Sequence, residues 1–249
     1  MIAVLKDWRE VGEYINALEL DGLPLHSTPQ KNWDHAVIRK ILSPMDRAVP
    51  IIDLGCGRGY TLKFLRALGF TNLWGIDLAL DWALLAHETR VMVRERRLSP
   101  PYHLKRGSIC ASTLPSNSFT VALSVSTIEH GVDLDAFMTE AWRLLDQSGV
   151  LILTTDYWHQ KIDTADAAHA FGLPWKIFDL QEVLALVESA RKVGFELLDG
   201  PASIPSCDAA PVVWQNRRYT FIALAFRKGP RRAATQNPSD PGAPPRVQP

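Results

Sequence analysis

Cysteine is scarce in this chain: Cys56, Cys110 and Cys207 are the three among 249 residues, with no C-x-x-C pair. An odd count at those separations speaks against a disulfide framework or a zinc site, so all three read as reduced thiols. Excess charge is missing too. Twenty-seven basic residues offset 27 acidic ones. No strongly basic face stands out, which argues against a nucleic-acid partner, because phosphates select clustered Lys and Arg. Runs such as Arg94-Glu95-Arg96-Arg97 read as a solvated helix end. No apolar run approaches the roughly 18 residues that a membrane span requires. The first residues lack the apolar core and cleavage pattern of a secretion signal. A cytoplasmic location without a membrane partner is the expectation, and no internal repeat is visible.

Apolar residues are plentiful, at 47% of the sequence. A chain of this length can bury a large core and suits one domain with an elaboration, given domains of about 50 to 250 residues. Its most informative stretch is Ile51-Ile52-Asp53-Leu54-Gly55-Cys56-Gly57-Arg58-Gly59. Branched apolar residues before the glycines suit a buried parallel strand. Tyr60 to Leu68 then carries Leu62, Leu65 and Leu68 at helical spacing, with Phe64 four before Leu68, and Gly69 closes the run. The glycines thus fall at a strand-to-helix turn. There they clear side chains from a ligand's path, permit positive φ and leave a helix N-terminus free to attract negative charge.

The spacing selects among ligands. G-x-G-x-x-G, the dinucleotide pattern, needs a third glycine at position 60, where Tyr60 stands. D-x-G-x-G-x-G instead resembles the first motif of class I S-adenosylmethionine-dependent methyltransferases. Later segments follow in that family's order. Asn72 to Asp77 reads as a second short strand ending in a carboxylate about 20 residues past the glycines, an offset that suits ribose hydroxyls. The alternative for Asp77 is an N-cap of the helix expected over Asp81 to Arg97. Leu114-Pro115-Ser116-Asn117-Ser118-Phe119, leading to Glu129-His130, is similar to the family's turn into its fourth strand, although Ser116 and Thr120 replace a usual aromatic and Asp. Asp133 then caps a helix carrying Leu134, Phe137, Met138, Ala141, Leu144 and Leu145 on one face, and Gly149 to Asp156 reads as the fifth strand.

The resemblance covers about Pro50 to Asp156, with a weaker continuation to Phe226. It implies S-adenosylmethionine as cofactor. Asp53, Gly55, Cys56 and Gly57 would wrap its methionine part, with backbone near Val125 and Ser126 meeting the same end. Asp77, with Leu78 beside it, would take the ribose. Ser108, where the family usually has Asp, would accept from the adenine amine, and Ile109 would cover the ring. Cys56 is read as small rather than reactive.

Outside this core, Ile2 to Leu20 reads as an amphipathic helix broken at Asp21-Gly22-Leu23-Pro24, and Trp33 to Leu42 as another. Lys31-Asn32-Trp33 is a candidate pocket lining, with Trp33 alternatively a packing anchor. Tyr157 to Phe178 is too aromatic for disorder and reads as an acceptor lid, or else as a helical hairpin completing the core. Asp179-Leu180-Gln181-Glu182 is a capping box for a helix to Val193, closed by Gly194. Phe195 to Leu198 and Arg218 to Arg227 read as the last strands, with a Pro-rich surface loop, Gly200 to Asn216, between them. From Gly229 onward the composition is that of a disordered tail.

The expected fold is an α/β doubly wound, Rossmann-like, mostly parallel seven-stranded sheet with an antiparallel last strand pair and helices on both faces. One methyltransferase domain spans 1–228: a helical cap (1–45), the cofactor core (50–156), the lid (157–178) and the C-terminal helix and strands (179–228). The expected activity is methyl transfer to a small molecule. Thr155 to Trp158 and Pro174 to Asp179 resemble bacterial methyltransferases associated with saccharide biosynthesis, which implies a sugar hydroxyl. Base candidates are His130, Asp156 and His159. Asp156, His159 and Asp163 lack tight ligand spacing, so no metal is expected. An NAD-linked oxidoreductase or a non-catalytic S-adenosylmethionine-binding protein are the alternatives.

Overall fold

The computed structural model describes residues 1–96, 100–169, 172–199 and 203–229. The tail from 230 and the positions 97–99 lie outside the described residues. The elements are β1 (Ile2–Val4), α1 (Trp8–Leu20), α2 (Lys31–Leu42), β2 (Ile51–Leu54), α3 (Tyr60–Ala67), β3 (Leu73–Asp77), α4 (Trp82–Arg94), β4 (His103–Arg106), β5 (Phe119–Val125), α5 (Leu134–Leu144), β6 (Leu145–Tyr157), α6 (Leu180–Val193), β7 (Phe195–Leu197), β8 (Val212–Trp214) and β9 (Arg217–Lys228).

Strands β4, β3, β2, β5 and β6 lie side by side in parallel, and β9 joins β6 antiparallel. Residues 222–224, 226 and 227 of β9 already face β6 on one side, so the pairing of β9 with β1 and β7 uses the other edge. Two short strands thus share the seventh position end to end, and β8 pairs with residues 217–219 of β9. The sheet holds nine strands where seven were expected. It is seven positions wide; three-residue strands are too short to show a period of two.

The helix expected over Ile2 to Leu20 is corrected at its start. Asp7 is the N-cap of α1, its Oδ1 accepting from the Glu10 backbone N–H at 2.9 Å. The preceding residues find backbone partners on β9 instead, as with Leu5 N–H donating to the Phe221 carbonyl at 3.0 Å. The Pro-rich segment after Gly200 likewise contains β8. Other boundaries follow their caps. Asp81, not Asp77, caps α4; Asp133 caps α5; the capping box of Asp179 and Glu182 opens α6, and Gly194 closes it at φ +115°.

Alternating strand residues feed two cores. Ile52, Leu54, Ala122, Leu151 and Leu153 join Phe137 and Met138 of α5 and Leu186 of α6. Ile51, Val121, Leu123, Val150 and Ile152 join Val37 and Ile38 of α2 and Leu62 and Leu65 of α3. Helices therefore cover both faces, and each fully buried aliphatic side chain is worth about 1.5 to 3 kcal/mol relative to exposure. Among the described residues no helix is long and apolar enough to cross a membrane. Beyond β2 the chain builds β3 and β4 to one side, then β5 and β6 to the other. The crevice at the carboxyl ends of β2 and β5 is the topological switch point, where open α/β sheets bind ligands.

Candidate active site

The glycine loop leaves β2 at this switch point, and all three glycines have positive φ: +91° at Gly55, +45° at Gly57 and +67° at Gly59. Their roles differ. A Cβ on Gly55 would collide with the Thr127 side chain, and one on Gly59 with Leu84, so these two permit close packing within the protein. At Gly57 a Cβ would meet nothing within 4 Å. That is the position at which a bound molecule can approach backbone.

Asp77 closes the loop from β3. Its Oδ2 accepts from the Gly57 N–H at 2.9 Å and its Oδ1 from the Ala79 N–H at 3.1 Å. Each oxygen keeps a lone pair for an outside donor. Asp53 lies beneath, 2% exposed, with Oδ1 lacking any hydrogen-bond partner. Burial, and next the Asp77 charge, push its carboxyl up to about 7. Burial also raises the Cys56 thiol well above its ordinary value, and its sulfur packs where a Cβ on Gly75 would stand, which fits the small, unreactive role.

The remaining cofactor candidates line the neighbouring strand ends. Leu78 is 57% exposed beside Asp77, and its carbonyl accepts from Arg106 Nε at 3.0 Å. Past β4, Ser108 turns its hydroxyl toward the Cys110 N–H at 3.1 Å, while Ile109 is buried in the core. Ser126, at the end of β5, has φ +50° and donates its N–H to the Thr154 carbonyl at 2.9 Å. Val125, half-buried, precedes it, and the Thr127 hydroxyl after it donates to the Val125 carbonyl at 3.2 Å.

From Ser126 the polar contacts run into a buried acidic cluster. Lys31 of α2 donates to the Ser126 hydroxyl, forms an ion pair with Asp34 at 3.7 Å and sits over the Phe221 ring, 3.8 Å from its centroid. Asp34 is fully buried beside Thr154, with no well-formed hydrogen bond to either oxygen, and burial lifts its carboxyl to about 6. Glu129 accepts from the Thr155 hydroxyl at 3.0 Å. Asp156 accepts from Trp175 Nε1 at 2.8 Å and from the Tyr219 hydroxyl. Burial pushes both carboxyls up, and the Asp156 charge adds to the effect on Glu129.

The base candidates are not equivalent in this setting. Asp156 belongs to the cluster. His130 is half-buried next to it, its backbone N–H donating to the Thr127 carbonyl at 3.0 Å; burial and the nearby Lys31 charge lower its imidazole. His159 is exposed, its ring tilted against Trp158 at 4.6 Å. Trp33 is a core anchor, and Asn32 pins the preceding loop by accepting from the His26 N–H at 2.8 Å. Among the described residues no group of three His, Cys, Asp or Glu could hold a metal ion.

The expected lid carries no α-helix in its described part, so the helical hairpin alternative does not hold. It is a loop with closed ends, Trp158 N–H to the Phe178 carbonyl at 2.9 Å and Phe178 N–H to the Asp156 carbonyl at 3.0 Å. Besides the Trp175 bond to Asp156, the Lys176 N–H donates to the Glu129 carbonyl at 3.0 Å, and Pro174 would meet a Cβ on Gly131. Asp34 and Tyr219 were missed in the sequence. The signal for Asp34 was there: it falls on the stripe of Val37, Ile38 and Ile41, where an acid is out of place on α2.

Residues 52–153 match the family described as "Methyltransferase domain". Over these residues the chain is similar to class I S-adenosylmethionine-dependent methyltransferases. The chain is similar to a probable S-adenosylmethionine-dependent methyltransferase of Mycolicibacterium smegmatis, 28% identical over 167 residues, 66% of this chain and 59% of the relative. It thus spans about three-fifths of that relative's length. In fold the chain resembles the Burkholderia thailandensis 1,6-didemethyltoxoflavin-N1-methyltransferase, solved with bound 1,6-didemethyltoxoflavin and S-adenosylhomocysteine, at a TM-score of 0.55 and 14% identity over 92% of this chain and 93% of that one. It also resembles the [4+2]-cyclase SpnF, with a TM-score of 0.57 and 17% identity over 88% and 93%. These similarities are to methyltransferases and not to nicotinamide enzymes, in line with Tyr60.

The methyltransferase cofactor is S-adenosylmethionine, and the residues present fit it. Gly57 leaves the approach open, Asp77 offers two oriented acceptors, and the orphaned Asp53 Oδ1 supplies an acceptor below the loop.

Proposed function

We propose that this chain transfers the methyl group of S-adenosylmethionine to a small-molecule acceptor lying against Glu129, His130 and Asp156. The observation that carries the reading is the bond from the Gly57 N–H to Asp77, which fixes a carboxylate at the mouth of an open glycine loop. When bound, the cofactor's sulfonium supplies an activated methyl group. The chain's own part is to hold the acceptor in line and to take its proton. Asp77 would grip the ribose hydroxyls, Ser108 and Ile109 the adenine, and the loop with Ser126 the methionine end. Trp175 and Lys176, seated on Asp156 and Glu129, would keep water from the acceptor atom. His130 is a base candidate with a weakened imidazole. Asp156 is already committed to two donors, and exposed His159 stands apart. A saccharide hydroxyl would enter this cluster as a neutral donor; the cluster's charge favours a cationic acceptor.

The test is cofactor affinity. Hydrogen bonds to a charged group contribute about 1.5 to 3 kcal/mol, and a decade of affinity is about 1.4 kcal/mol. Asp77→Asn should therefore weaken S-adenosylmethionine binding at least tenfold by calorimetry. Unchanged affinity in a folded variant would remove Asp77 from the site.

A further inference from the structure

Formal charge in the buried cluster does not balance. Asp34, Glu129 and Asp156 are each at most 5% exposed; Lys31 pairs with Asp34, and its charge acts on the other two from farther away. Hydrogen bonding is uneven as well. Asp156 has two donors and Glu129 one from a side chain, whereas Asp34 meets Lys31 at 3.7 Å and the Thr154 hydroxyl with no well-formed hydrogen bond to either oxygen. A fully buried carboxylate left in that state costs stability unless a partner arrives, since buried charges persist when paired. The hydroxyl of Thr154, on β6, is also buried and faces Asp34 without a well-formed bond to it. Unused polar capacity is thus concentrated at one point. That point adjoins Ser126, through Lys31, at the strand end on the cofactor's methionine side. The site also shows how it receives a cation. The Lys31 ammonium lies between the Ser126 hydroxyl and Asp34, over the Phe221 ring, a combination of carboxylate and aromatic face that favours ammonium groups.

We infer that Asp34, Glu129 and Asp156, with the Phe221 ring, form a receptor for an amine-bearing acceptor, and that the methyl group is received by that amine nitrogen. This rests on the methyl-transfer function proposed above. The acceptor enters as an ammonium, paired with Asp34 and Glu129. Its proton passes to the Glu129 carboxylate, freeing the nitrogen lone pair. The nitrogen then forms a bond to the methyl carbon as the carbon–sulfur bond breaks; the bonding pair stays on sulfur, leaving neutral S-adenosylhomocysteine and a methylated ammonium. Burial suits Glu129 to this step, because its raised proton affinity makes it a better base than a solvated carboxylate. Lys31 acts as a resident competitor that holds the carboxylates apart until the acceptor arrives.

The experiment compares matched probes on the full chain: ethanolamine against ethylene glycol, and glucosamine against glucose. Binding is measured by calorimetry with S-adenosylhomocysteine present, and transfer by labelled methyl from S-adenosylmethionine. At least one amine should bind tenfold or more tightly than its hydroxyl partner and should be methylated on nitrogen. Lys31→Met, which removes the competing cation, should tighten amine binding several-fold, while Asp34→Asn and Glu129→Gln should abolish the preference for amine. A merely structural cluster would give no gain of affinity in Lys31→Met. Equal binding of amines and alcohols by the wild type, or no amine binding, overturns the inference, and this comparison needs no variant to fold. Failure of S-adenosylmethionine itself to bind would instead overturn the methyl-transfer function.

Discussion

Asp53→Asn should make the ligand-free protein more stable in neutral and alkaline solution. Asp53 is fully buried, one carboxylate oxygen has no partner, and its carboxyl is pushed from an ordinary 3.8 to about 7. Because the folded state holds the proton more tightly than the unfolded state, burial imposes no ionisation cost below the unfolded value. The cost grows as pH rises from about 4 and is complete above about 7. Three units at about 1.4 kcal/mol each amount to roughly 4 kcal/mol, of which roughly 2 to 3 kcal/mol should develop between pH 5 and pH 8. Asparagine keeps the shape and cannot ionise. Asp34, Glu129 and Asp156 shift in the same direction, so the informative quantity is the wild type's pH dependence minus the variant's. Urea unfolding of both proteins at the two pH values, without cofactor, gives that difference. Parallel pH dependence would refute the reasoning and mean that Asp53 is solvated or paired in solution. S-adenosylmethionine affinity should fall in the same variant, since an anion below the loop is lost.

The glycines should separate stability from binding: Gly55→Ala and Gly59→Ala should lower the melting temperature by several degrees through collisions with Thr127 and Leu84, while Gly57→Ala should fold with about 1 to 2 kcal/mol of left-handed strain and lose cofactor affinity at least tenfold. The reverse order in paired melts and calorimetry would contradict the packing. His130→Asn should retain cofactor affinity; a fall in transfer of 10² or more would assign the imidazole as base, near-normal transfer would leave it shaping the turn, and any wild-type activity loss through this ring should occur below pH 6.5 because its imidazole is lowered. Glu140 is held at about 2 by hydrogen bonds from Arg143 and Ser112. Its stabilisation is complete above the ordinary glutamate range and lost as pH falls from about 4.5 toward 2, so acid titration of Glu140→Gln by circular dichroism should show a shallower loss across that interval.

Elements whose signals are local were legible from the chain. The cap at Asp133, the box at Asp179 and Glu182, and the strand before the glycines each depend on residues within a few positions of one another. What escaped depends on distant partners. Ile2–Val4 becomes a strand because β9 offers it an edge, and three residues carry no period of their own. Gly55 and Gly59 looked like ligand clearances, yet Thr127 and Leu84, far along the chain, occupy that space. Asp34 stood out only as an acid on the apolar stripe of α2, and what it meets, Thr154 and Asp156 of β6, lies far along the chain. The proposed cofactor side draws mostly on one loop and one strand end, so its residues stand close together in the sequence. The acceptor side proposed here would draw on α2, the end of β5, β6, β9 and the segment at 174–176, and no single stretch announces it.

The edge strand β1 also constrains how the molecule comes together. Ile2, Ala3 and Val4 align with Leu224, Ala223 and Ile222, and the first backbone amine donates to the Ala225 carbonyl at 3.1 Å, a sequence separation of 224 residues. Contacts of that span are slow to form, because the whole intervening loop must be closed before they stabilise anything. During synthesis, the first residues therefore wait for β9 while β2 to β6 can already pair. β1, which precedes the other described strands, waits for the late β9, and until then both its own backbone and the outer edge of β9 offer unpaired groups to a neighbouring molecule.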